Sequence, residues 1–501
     1  MAVRIPRFLR HASLYSLGTI MRNAASLLLL PVYTRYLTPA EYGLVELITV
    51  MTTLVGNLVS FDLNNGVFRY YHHATSAEAR QRLIMAAMVL GVLANSAAGA
   101  LLALCSPLLA QNFLGSSGNA YLLAWFSLSL LLEAVCAVAF SHMRADGKVS
   151  RFLATSTLRL VAQIAFNLYF LVVLKLGAAS FIYGYLISCA IQAAAALPYT
   201  LRHGSLAFTR SDIKRLIGFG GPLAIAGLAT LYISTGDRFF LSRLNSLSAV
   251  GVYALAYRLA QALNTLVYAP FTQVWEIEQY RIHARTDMHP AFGVVFQATY
   301  SLLACCALGL ALFAPDLLRL LATPAFYGAA PVVPILLLAL MFTAITDFAR
   351  LGSLVGSRPI NVVGGAMIGA ILVTLCLVIL VPRLGSMGAA SAVAIAALAR
   401  LIFEYRRARQ LFDMELHWGP LVLTLALCAA ATLTVPYFAP LTWTGILAKG
   451  ALWVAITVFT VVSAYRRVVA HPEQLRVAKQ VLGRGSPAQA LTPAVAEQSP
   501  R

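Results

Sequence analysis

The sequence predicts an all-α membrane protein with about fourteen transmembrane helices, arranged as two parallel six-helix repeats plus two extra C-terminal helices. Three observations support this fold class. Of the 501 residues, 60% are hydrophobic and only 11% are charged, which excludes an ordinary water-soluble domain. Apolar runs of about 20 residues, each long enough to cross the bilayer as a helix, recur along most of the chain. The chain also partly matches itself after a shift of 208 residues.

The apolar runs follow one another with short loops between them, and none of these loops is large enough to fold as a separate domain. The alternating strands of about ten residues that mark a membrane barrel are not seen in the sequence. The predicted spans cover residues 12–34, 43–61, 83–105, 120–141, 152–174, 177–199, 216–236, 249–272, 291–315, 330–349, 360–381, 387–403, 418–438 and 446–465.

The net charge of +19 is distributed unevenly between the two sides of the predicted bundle. Of the 37 Lys and Arg residues, 27 lie in the termini or in loops on one side, and seven lie on the other. Cytoplasmic loops of membrane proteins carry such an excess of basic residues, so both termini are predicted to be cytoplasmic. The basic charge therefore orients the protein, and nucleic-acid binding is not expected.

The seven cysteines all fall inside predicted spans, so the sequence offers neither a disulfide framework nor a metal-ligand spacing. The first span is long, contains Arg22 and lacks an obvious cleavage site, so it does not have the features of a signal peptide. We expect no cofactor, with a proton or sodium gradient as the candidate source of energy.

The self-match at an offset of 208 residues joins two distant pairs of turns. Gly43 meets Gly251 before an apolar run, and the sequence Lys175-Leu176-Gly177 meets Arg383-Leu384-Gly385 between two such runs. Duplicated bundles of membrane helices are typical of alternating-access transporters, whose substrate site lies between the halves. The predicted organisation is a cytoplasmic N-terminus (1–11), an N-lobe (12–203), a C-lobe (204–410), two further spans (411–466) and a largely disordered cytoplasmic tail (467–501).

Three arginines, Arg22, Arg159 and Arg258, lie well inside predicted spans. Each costs roughly 2.5–3.5 kcal/mol to insert at the bilayer centre, so such residues face a partner or a wet cavity. Polar residues accompany them at helical spacing, which favours a water-filled seam that suits an anionic, hydroxyl-rich solute. The predicted polar lining consists of Asn23, Ser26, Asn57, Gln163, Asn167, Gln261 and Thr265.

The acidic residues at or inside the span limits allow two interpretations. Glu46, Glu133 and Asp347 could take up a proton or sodium ion and couple its movement to transport. Alternatively, Glu46 and Glu133 pair with the arginines and only fix helix packing. Asp237 and Arg238 are adjacent opposite charges at a predicted membrane interface, and such pairs are typical of solvated anchors.

Several stretches resemble one known family. They are Ser13–Tyr15 with LPVYTRYLTPAEYG at 30–43, NGVFRYY at 65–71, DRFFL at 237–241 with VGVYALAYR at 250–258, and PRLGSMGAA at 382–390. Together they resemble the polysaccharide transporter (Wzx-type flippase) family of the multidrug/oligosaccharidyl-lipid/polysaccharide exporter superfamily, over roughly residues 8–410. Asp237, Arg238 and Arg69 lie within these matching motifs.

The resemblance implies a flippase that moves undecaprenyl-diphosphate-linked oligosaccharides across the bacterial inner membrane for surface polysaccharide synthesis. Arg22 and Arg258 then match positions where cations would meet the diphosphate or acidic sugars. Expected partners are the lipid-linked substrate and membrane lipids, with a glycan polymerase and a chain-length regulator as further candidates, and the expected state is a monomer. Two alternatives stay open: a drug or cation exporter of the same superfamily, and a membrane glycan polymerase or glycosyltransferase.

Overall fold

The computed structural model describes residues 29–74, 76–202, 205, 207–283, 290–355, 360–411, 426 and 443–470. Within these ranges the chain forms α-helices joined by short turns, and no described residue lies in a strand. The helices are α1 (Leu30–Tyr36), α2 (Pro39–Val59), α3 (Leu63–His73), α4 (Ala77–Leu104), α5 (Ser106–Phe113), α6 (Ala120–Ala145), α7 (Val149–Leu168), α8 (Ala178–Arg202), α9 (Arg210–Thr235), α10 (Asp237–Leu244), α11 (Leu247–Leu263), α12 (Ala269–His283), α13 (Pro290–Leu321), α14 (Val332–Val355), α15 (Ile360–Arg409) and α16 (Trp443–Ala470).

The predicted all-α fold class is confirmed, and the protein is a multi-pass membrane protein. Nine helical segments among the described residues are long and apolar enough to cross a membrane. Most of the predicted first span and nearly all of the thirteenth lie outside the described residues, so the number fourteen stays a prediction.

The internal repeat is visible in single residues, namely in the N-terminal caps of α2 and α11. The Thr38 hydroxyl caps α2 by accepting a hydrogen bond from the Glu41 amide, and the Glu41 carboxylate accepts one from the Thr38 amide, which forms a capping box. Ser246 caps α11 in the same way through the Ala249 amide. Because 38 plus 208 is 246, the two caps are equivalent positions of the repeat.

The turns that contain Gly177 and Gly385 are also equivalent positions of the repeat. Gly177, between α7 and α8, has φ +57°, and Gly385, inside α15, has φ +54°. This left-handed conformation is easily reached only by glycine. Gly385, three residues after Pro382, therefore breaks the long helix α15 where the sequence predicts the boundary between spans 360–381 and 387–403.

Helices α2 and α11 cross at the glycine pair of the self-match. A Cβ atom at Gly43 would collide with the Leu247 carbonyl oxygen and the Gly251 amide nitrogen. A Cβ atom at Gly251 would collide in turn with the Pro39 carbonyl group and would make a tight contact with the Gly43 amide nitrogen. The contacts are reciprocal at an offset of 208 residues, so the two helices meet as repeat equivalents. Small residues of this kind let membrane helices approach backbone to backbone.

The described chain divides into two compact units. The first comprises the described residues of Met1–Pro270, Phe313–Thr343 and Val362–Phe403, and it contains α1 to α11. The second comprises those of Phe271–Leu312, Ala344–Asn361 and Glu404–Arg501. Its core includes an aromatic group in which Phe348 packs 5.0 Å from Trp275 and 5.3 Å from Phe296, measured between ring centroids. The lobe boundaries near residues 203 and 410 stay a prediction.

Candidate functional site

The adjacent residues Asp237 and Arg238, which begin α10, are buried inside the first unit. Each is only 2% exposed, so the interpretation of this pair as solvated anchors is wrong. Arg238 donates from Nη1 to Asp237 Oδ1 at 2.8 Å and to the Ser234 carbonyl at 3.1 Å. Its Nε donates to Glu46 Oε1 on α2 at 2.9 Å. The guanidinium is thereby held by groups from three helices, which is how a buried charge is usually compensated.

Two tyrosines of α11 complete the surroundings of Arg238. Tyr253 donates a hydrogen bond to the second carboxylate oxygen of Asp237. The Arg238 guanidinium lies 4.3 Å from the centroid of the Tyr257 ring, within the range of a cation–π interaction. Tyr253 and Tyr257 are four residues apart, so both face the same side of the helix.

Glu46 is shared by two arginines and joins them into one group, which we call the first ion cluster: Glu46, Asp237, Arg238 and Arg258. Nη2 of Arg258, on α11, lies 3.6 Å from Glu46 Oε2. Two carboxylates thus face two guanidinium groups, and the formal charge of the cluster is zero. A neutral, hydrogen-bonded set can remain ionised in an apolar bundle, whereas a single charge would be costly.

The exposed part of the first ion cluster lies at Arg258. Its side chain is 27% exposed, compared with 2% for Arg238 and 14% for Glu46. The Arg258 guanidinium stacks at 5.3 Å over the ring of Tyr42, whose hydroxyl is buried without a hydrogen-bond partner among the described residues. The arrangement places a partly exposed cation next to a buried hydroxyl.

Asn167, predicted as part of the polar lining, lies on α7 and is 1% exposed. Its Nδ2 donates to the hydroxyl of Tyr33, on α1, at 2.7 Å. A Cβ atom at Gly184 would overlap the Asn167 side chain, so the glycine makes room for this amide between α7 and α8. Tyr33 and Asn167 therefore bring α1 and α7 together through a buried hydrogen bond.

A second ion cluster lies among α6, α7 and α8. Arg159 donates to Glu133 Oε1 at 2.5 Å and to Gln192 Oε1 at 3.0 Å, and its guanidinium lies 5.0 Å from the Tyr185 ring centroid. Tyr185 donates to the same Glu133 oxygen at 2.6 Å. The Glu133 side chain is 40% exposed and that of Arg159 is 14% exposed. The structure therefore shows Arg258 paired with Glu46 and Arg159 paired with Glu133, and the role of these pairs in packing or in coupling stays a prediction.

Asp146, directly after α6, forms a third polar group that the sequence did not point to. Tyr71 donates to one carboxylate oxygen at 2.8 Å, and Tyr199 donates to the other. The loss of water around the partly covered carboxylate opposes ionisation, but the hydrogen bonds from Tyr199 and Tyr71 lower the pKa of this carboxyl below its usual value. The ring of His142 lies 5.0 Å from that of Tyr199. Asp146 thus ties the ends of α3, α6 and α8 together.

The other predicted site residues are dispersed. Asp347 pairs with Arg350 at 3.3 Å in the second unit. Arg69 is exposed on α3 and lies 4.6 Å from the ring centroid of Phe219. Asn57 bonds to the Thr53 carbonyl of its own helix, Gln261 is exposed, and Gln163 and Thr265 are half-buried. Arg22, Asn23 and Ser26 lie outside the described residues.

The described part of the chain contains no group of three or more His, Cys, Asp or Glu side chains that could hold a metal ion. The chemistry available in the two clusters is therefore that of guanidinium, carboxylate and hydroxyl groups. Guanidinium groups bind phosphate and carboxylate groups through paired, charge-assisted hydrogen bonds.

A family model matches this chain, and several solved structures share its fold. The family model described as "Polysaccharide biosynthesis protein" matches residues 8–275. A search of curated proteins finds no match. Among solved structures, the lipid II flippase MurJ in an inward closed conformation is similar with a TM-score of 0.74 and 12% identity, over 91% of this chain and 99% of that one.

Two MATE structures are similar as well. An inward-facing MATE family transporter of the MOP superfamily has a TM-score of 0.59 and 15% identity, covering 78% of this chain and 94% of its own. A MATE transporter in complex with MaL6 has a TM-score of 0.54 and 14% identity, over 80% of this chain and 95% of that one. At these identities the similarities establish the fold alone.

Proposed function

Because the chain belongs to the polysaccharide biosynthesis protein family, we propose that it is a flippase for undecaprenyl-diphosphate-linked oligosaccharides in the bacterial inner membrane. The units would serve the synthesis of a surface polysaccharide such as O-antigen, capsule or exopolysaccharide. Alternating access would carry the polar head across while the polyprenyl tail stays in the lipid. The fold shared with the lipid II flippase MurJ supports this proposal, because that protein is itself a flippase.

The observation that carries the proposal is the first ion cluster, placed beside the crossing of α2 and α11. Glu46 is three residues after Gly43, and Arg258 is seven residues after Gly251, so the charges lie within two helical turns of the glycine contact. Equivalent helices of a duplicated transporter are the elements expected to separate when the protein changes its open side. A partly exposed guanidinium at that place is suited to an anionic headgroup.

Arg258 is the cation that we assign to the diphosphate or to acidic sugars. A guanidinium offers a planar fork of donors that matches phosphate oxygens, and it stays charged in an apolar environment. Arg159 and Arg22 are further candidates from the sequence, with the polar residues of α7 and α11 as lining. Glu46, Glu133 and Asp347 remain candidates for coupling to a proton or sodium gradient.

The test of this function is the fate of the lipid-linked glycan when the protein is depleted from cells. We expect the glycan unit to accumulate on the cytoplasmic leaflet, and Arg258→Gln to restore little of the surface glycan while still reaching the membrane. A control variant is Arg243→Gln, which changes an exposed arginine of α10 and should restore full surface glycan. Normal surface glycan after depletion would remove the proposal.

A drug or cation exporter is the second candidate, and the similarity to multidrug transporters favours it specifically. Such an exporter would bind organic cations, which the partly exposed arginines of this chain disfavour. The two functions differ in one measurement. Expression of an exporter in a drug-sensitive strain would raise its resistance to cationic dyes, whereas expression of a glycan flippase would not.

A further inference from the structure

The two arginines of the first ion cluster are held by Glu46 at unequal distances. Arg238 Nε lies 2.9 Å from Oε1, and Arg258 Nη2 lies 3.6 Å from Oε2. The first distance is that of a charge-assisted hydrogen bond, whereas the second exceeds a normal hydrogen bond. Glu46 therefore binds Arg238 tightly and Arg258 loosely.

Exposure separates the two arginines in the same way. The Arg238 side chain is 2% exposed, and its guanidinium already donates to Glu46, to Asp237 and to the Ser234 carbonyl. A ligand could reach it only after the cluster had been taken apart. Arg258, at 27% exposed, can meet a ligand while every bond of Arg238 stays in place.

The charges explain what would happen to Glu46 when a ligand arrives. Asp237, Glu46 and Arg238 together carry a formal charge of −1, and Arg258 balances it. If an anion draws the Arg258 guanidinium towards itself, Glu46 keeps its hydrogen bond to Arg238. No carboxylate is then left buried without a cation, which is the arrangement that costs most in a buried site.

We propose that Glu46 is a specificity-determining residue that competes with the ligand for Arg258 and so selects multivalent phosphate anions over single carboxylates. This rests on the proposed function, in which Arg258 meets the anionic headgroup. A sugar carboxylate would only replace one carboxylate by another, and the one it replaces is already tethered beside the guanidinium. A diphosphate carries more charge and more acceptor oxygens, so it binds Arg258 more strongly than the Glu46 carboxylate does.

The same competition weakens the binding of the headgroup. A transported ligand has to leave the site after it has crossed, so a carboxylate that takes Arg258 back assists release. Removal of the Glu46 charge should therefore tighten anion binding, which is the opposite of what the loss of a merely structural contact would do.

The experiment is isothermal titration of inorganic pyrophosphate, and separately of glucuronate, into the purified full-length protein in detergent. We expect the wild-type protein to bind pyrophosphate and not glucuronate. Glu46→Gln should bind pyrophosphate about tenfold more tightly and should gain measurable glucuronate binding. Glu46→Asp keeps the charge and should stay close to the wild-type affinities, and Arg258→Gln should lose pyrophosphate binding.

The matched control is Glu41→Gln, which removes one negative charge from the first turn of the same helix. Glu41 belongs to the capping box of α2, and glutamine also fills that position of the motif. It should leave both affinities unchanged. Tighter binding in Glu41→Gln as well would point to a general effect of charge and would overturn the inference.

The possible failures can be told apart. If Arg258→Gln loses pyrophosphate binding but Glu46→Gln binds it no more tightly than the wild type, the competition is wrong and the anion site stands. If Arg258→Gln binds pyrophosphate like the wild type, the proposed anion site itself is wrong. Should Glu46→Gln not fold, wild-type binding of glucuronate as tight as that of pyrophosphate would by itself overturn the inference.

Discussion

The crossing of α2 and α11 and the ion cluster beside it differ in their relation to the internal repeat. The crossing is duplicated, since Gly43 and Gly251 are equivalent positions that contact each other reciprocally. The cluster is not. At the offset of 208 residues, Glu46 corresponds to Ala254 and Arg258 to Val50, while Asp237 and Arg238 correspond to Leu29 and Leu30.

The second ion cluster is also present in only one of the two repeats. Glu133 corresponds to Met341, and Arg159 corresponds to Met367. The repeat therefore preserves backbone features that need a particular conformation or a close approach, and it has not preserved the charged side chains of the two ion clusters. We infer that the duplicated features carry the geometry of the bundle, whereas the unduplicated charges carry the chemistry.

The largest expected effect follows from the burial of Arg238. Arg238→Gln would leave Asp237 and Glu46 with one guanidinium between them, and breaking a buried ion pair in this way costs about 3–5 kcal/mol. We expect a large fall in the melting temperature of the purified protein and a low amount in the membrane. Arg243→Gln, on the same helix but exposed, should melt like the wild type. Equal melting temperatures for the two variants would show that the cluster does not stabilise the bundle.

The glycine crossing should be the next most sensitive feature. Gly43→Ala or Gly251→Ala would place a methyl group against the backbone of the opposite helix, and overpacking of this kind costs about 1–3 kcal/mol. A Cβ atom at Gly218, on α9, would meet nothing within 4 Å, so Gly218→Ala is a matched control. We expect it to be neutral or slightly stabilising, because alanine favours helix over glycine. If all three variants melt alike, the close approach of α2 and α11 is not required.

Much of this architecture could be predicted from the sequence because its signals are local. Hydrophobic length indicates the spans, and a self-match needs only a comparison of the chain with itself. The burial of Asp237 and Arg238 could not be predicted in this way. Adjacent opposite charges have the same local pattern at a water interface and inside a bundle, and the decisive partner, Glu46, is 192 residues away.

The sequence offers pairing of the arginines inside the spans with Glu46 or Glu133 as an alternative, because a buried arginine needs a partner and few acids lie inside the spans, but it does not assign Arg258 to Glu46 or Arg159 to Glu133. The tyrosines that complete both clusters are not predicted from the sequence. Tyr185, Tyr253 and Tyr257 lie in apolar stretches, where a tyrosine at helical spacing is usually a core residue. Only their hydroxyl and ring contacts with Glu133, Asp237 and Arg238 reveal their role.

The repeat offers a direct test of the second ion cluster. The double variant Glu133→Met with Arg159→Met gives the first repeat the residues of the second. Replacing even a fully buried ion pair by hydrophobic residues is often neutral, and this pair is only partly buried, so we expect a stability within about 1 kcal/mol of the wild type. Arg159→Met alone should cost about 1–2 kcal/mol, because it leaves Glu133 without its cation while part of that side chain still reaches solvent. A stable double variant that supports normal surface glycan would assign this cluster to packing, and one that folds but fails in transport would assign it to function.

The smallest expected effect concerns Asp146, which lies outside the membrane-spanning segments. The pKa of its carboxyl is lower in the folded protein than in the unfolded chain, so its ionised form stabilises the fold. That contribution is present above the unfolded value of about 3.9 and is lost as the pH falls through the lower folded value. Because Asp146 is exposed, we expect this contribution to the free energy of unfolding to amount to less than about 1 kcal/mol.

Melting temperatures measured from pH 7 down to about pH 3 should fall more steeply in the wild type than in Asp146→Asn. Asp62→Asn is the matched control, since it removes a carboxylate that accepts hydrogen bonds from Asn65, three residues away, and this variant should keep the steeper fall of the wild type. An identical pH profile for wild type and Asp146→Asn would mean that the two tyrosine hydrogen bonds stabilise the neutral and the ionised carboxyl equally.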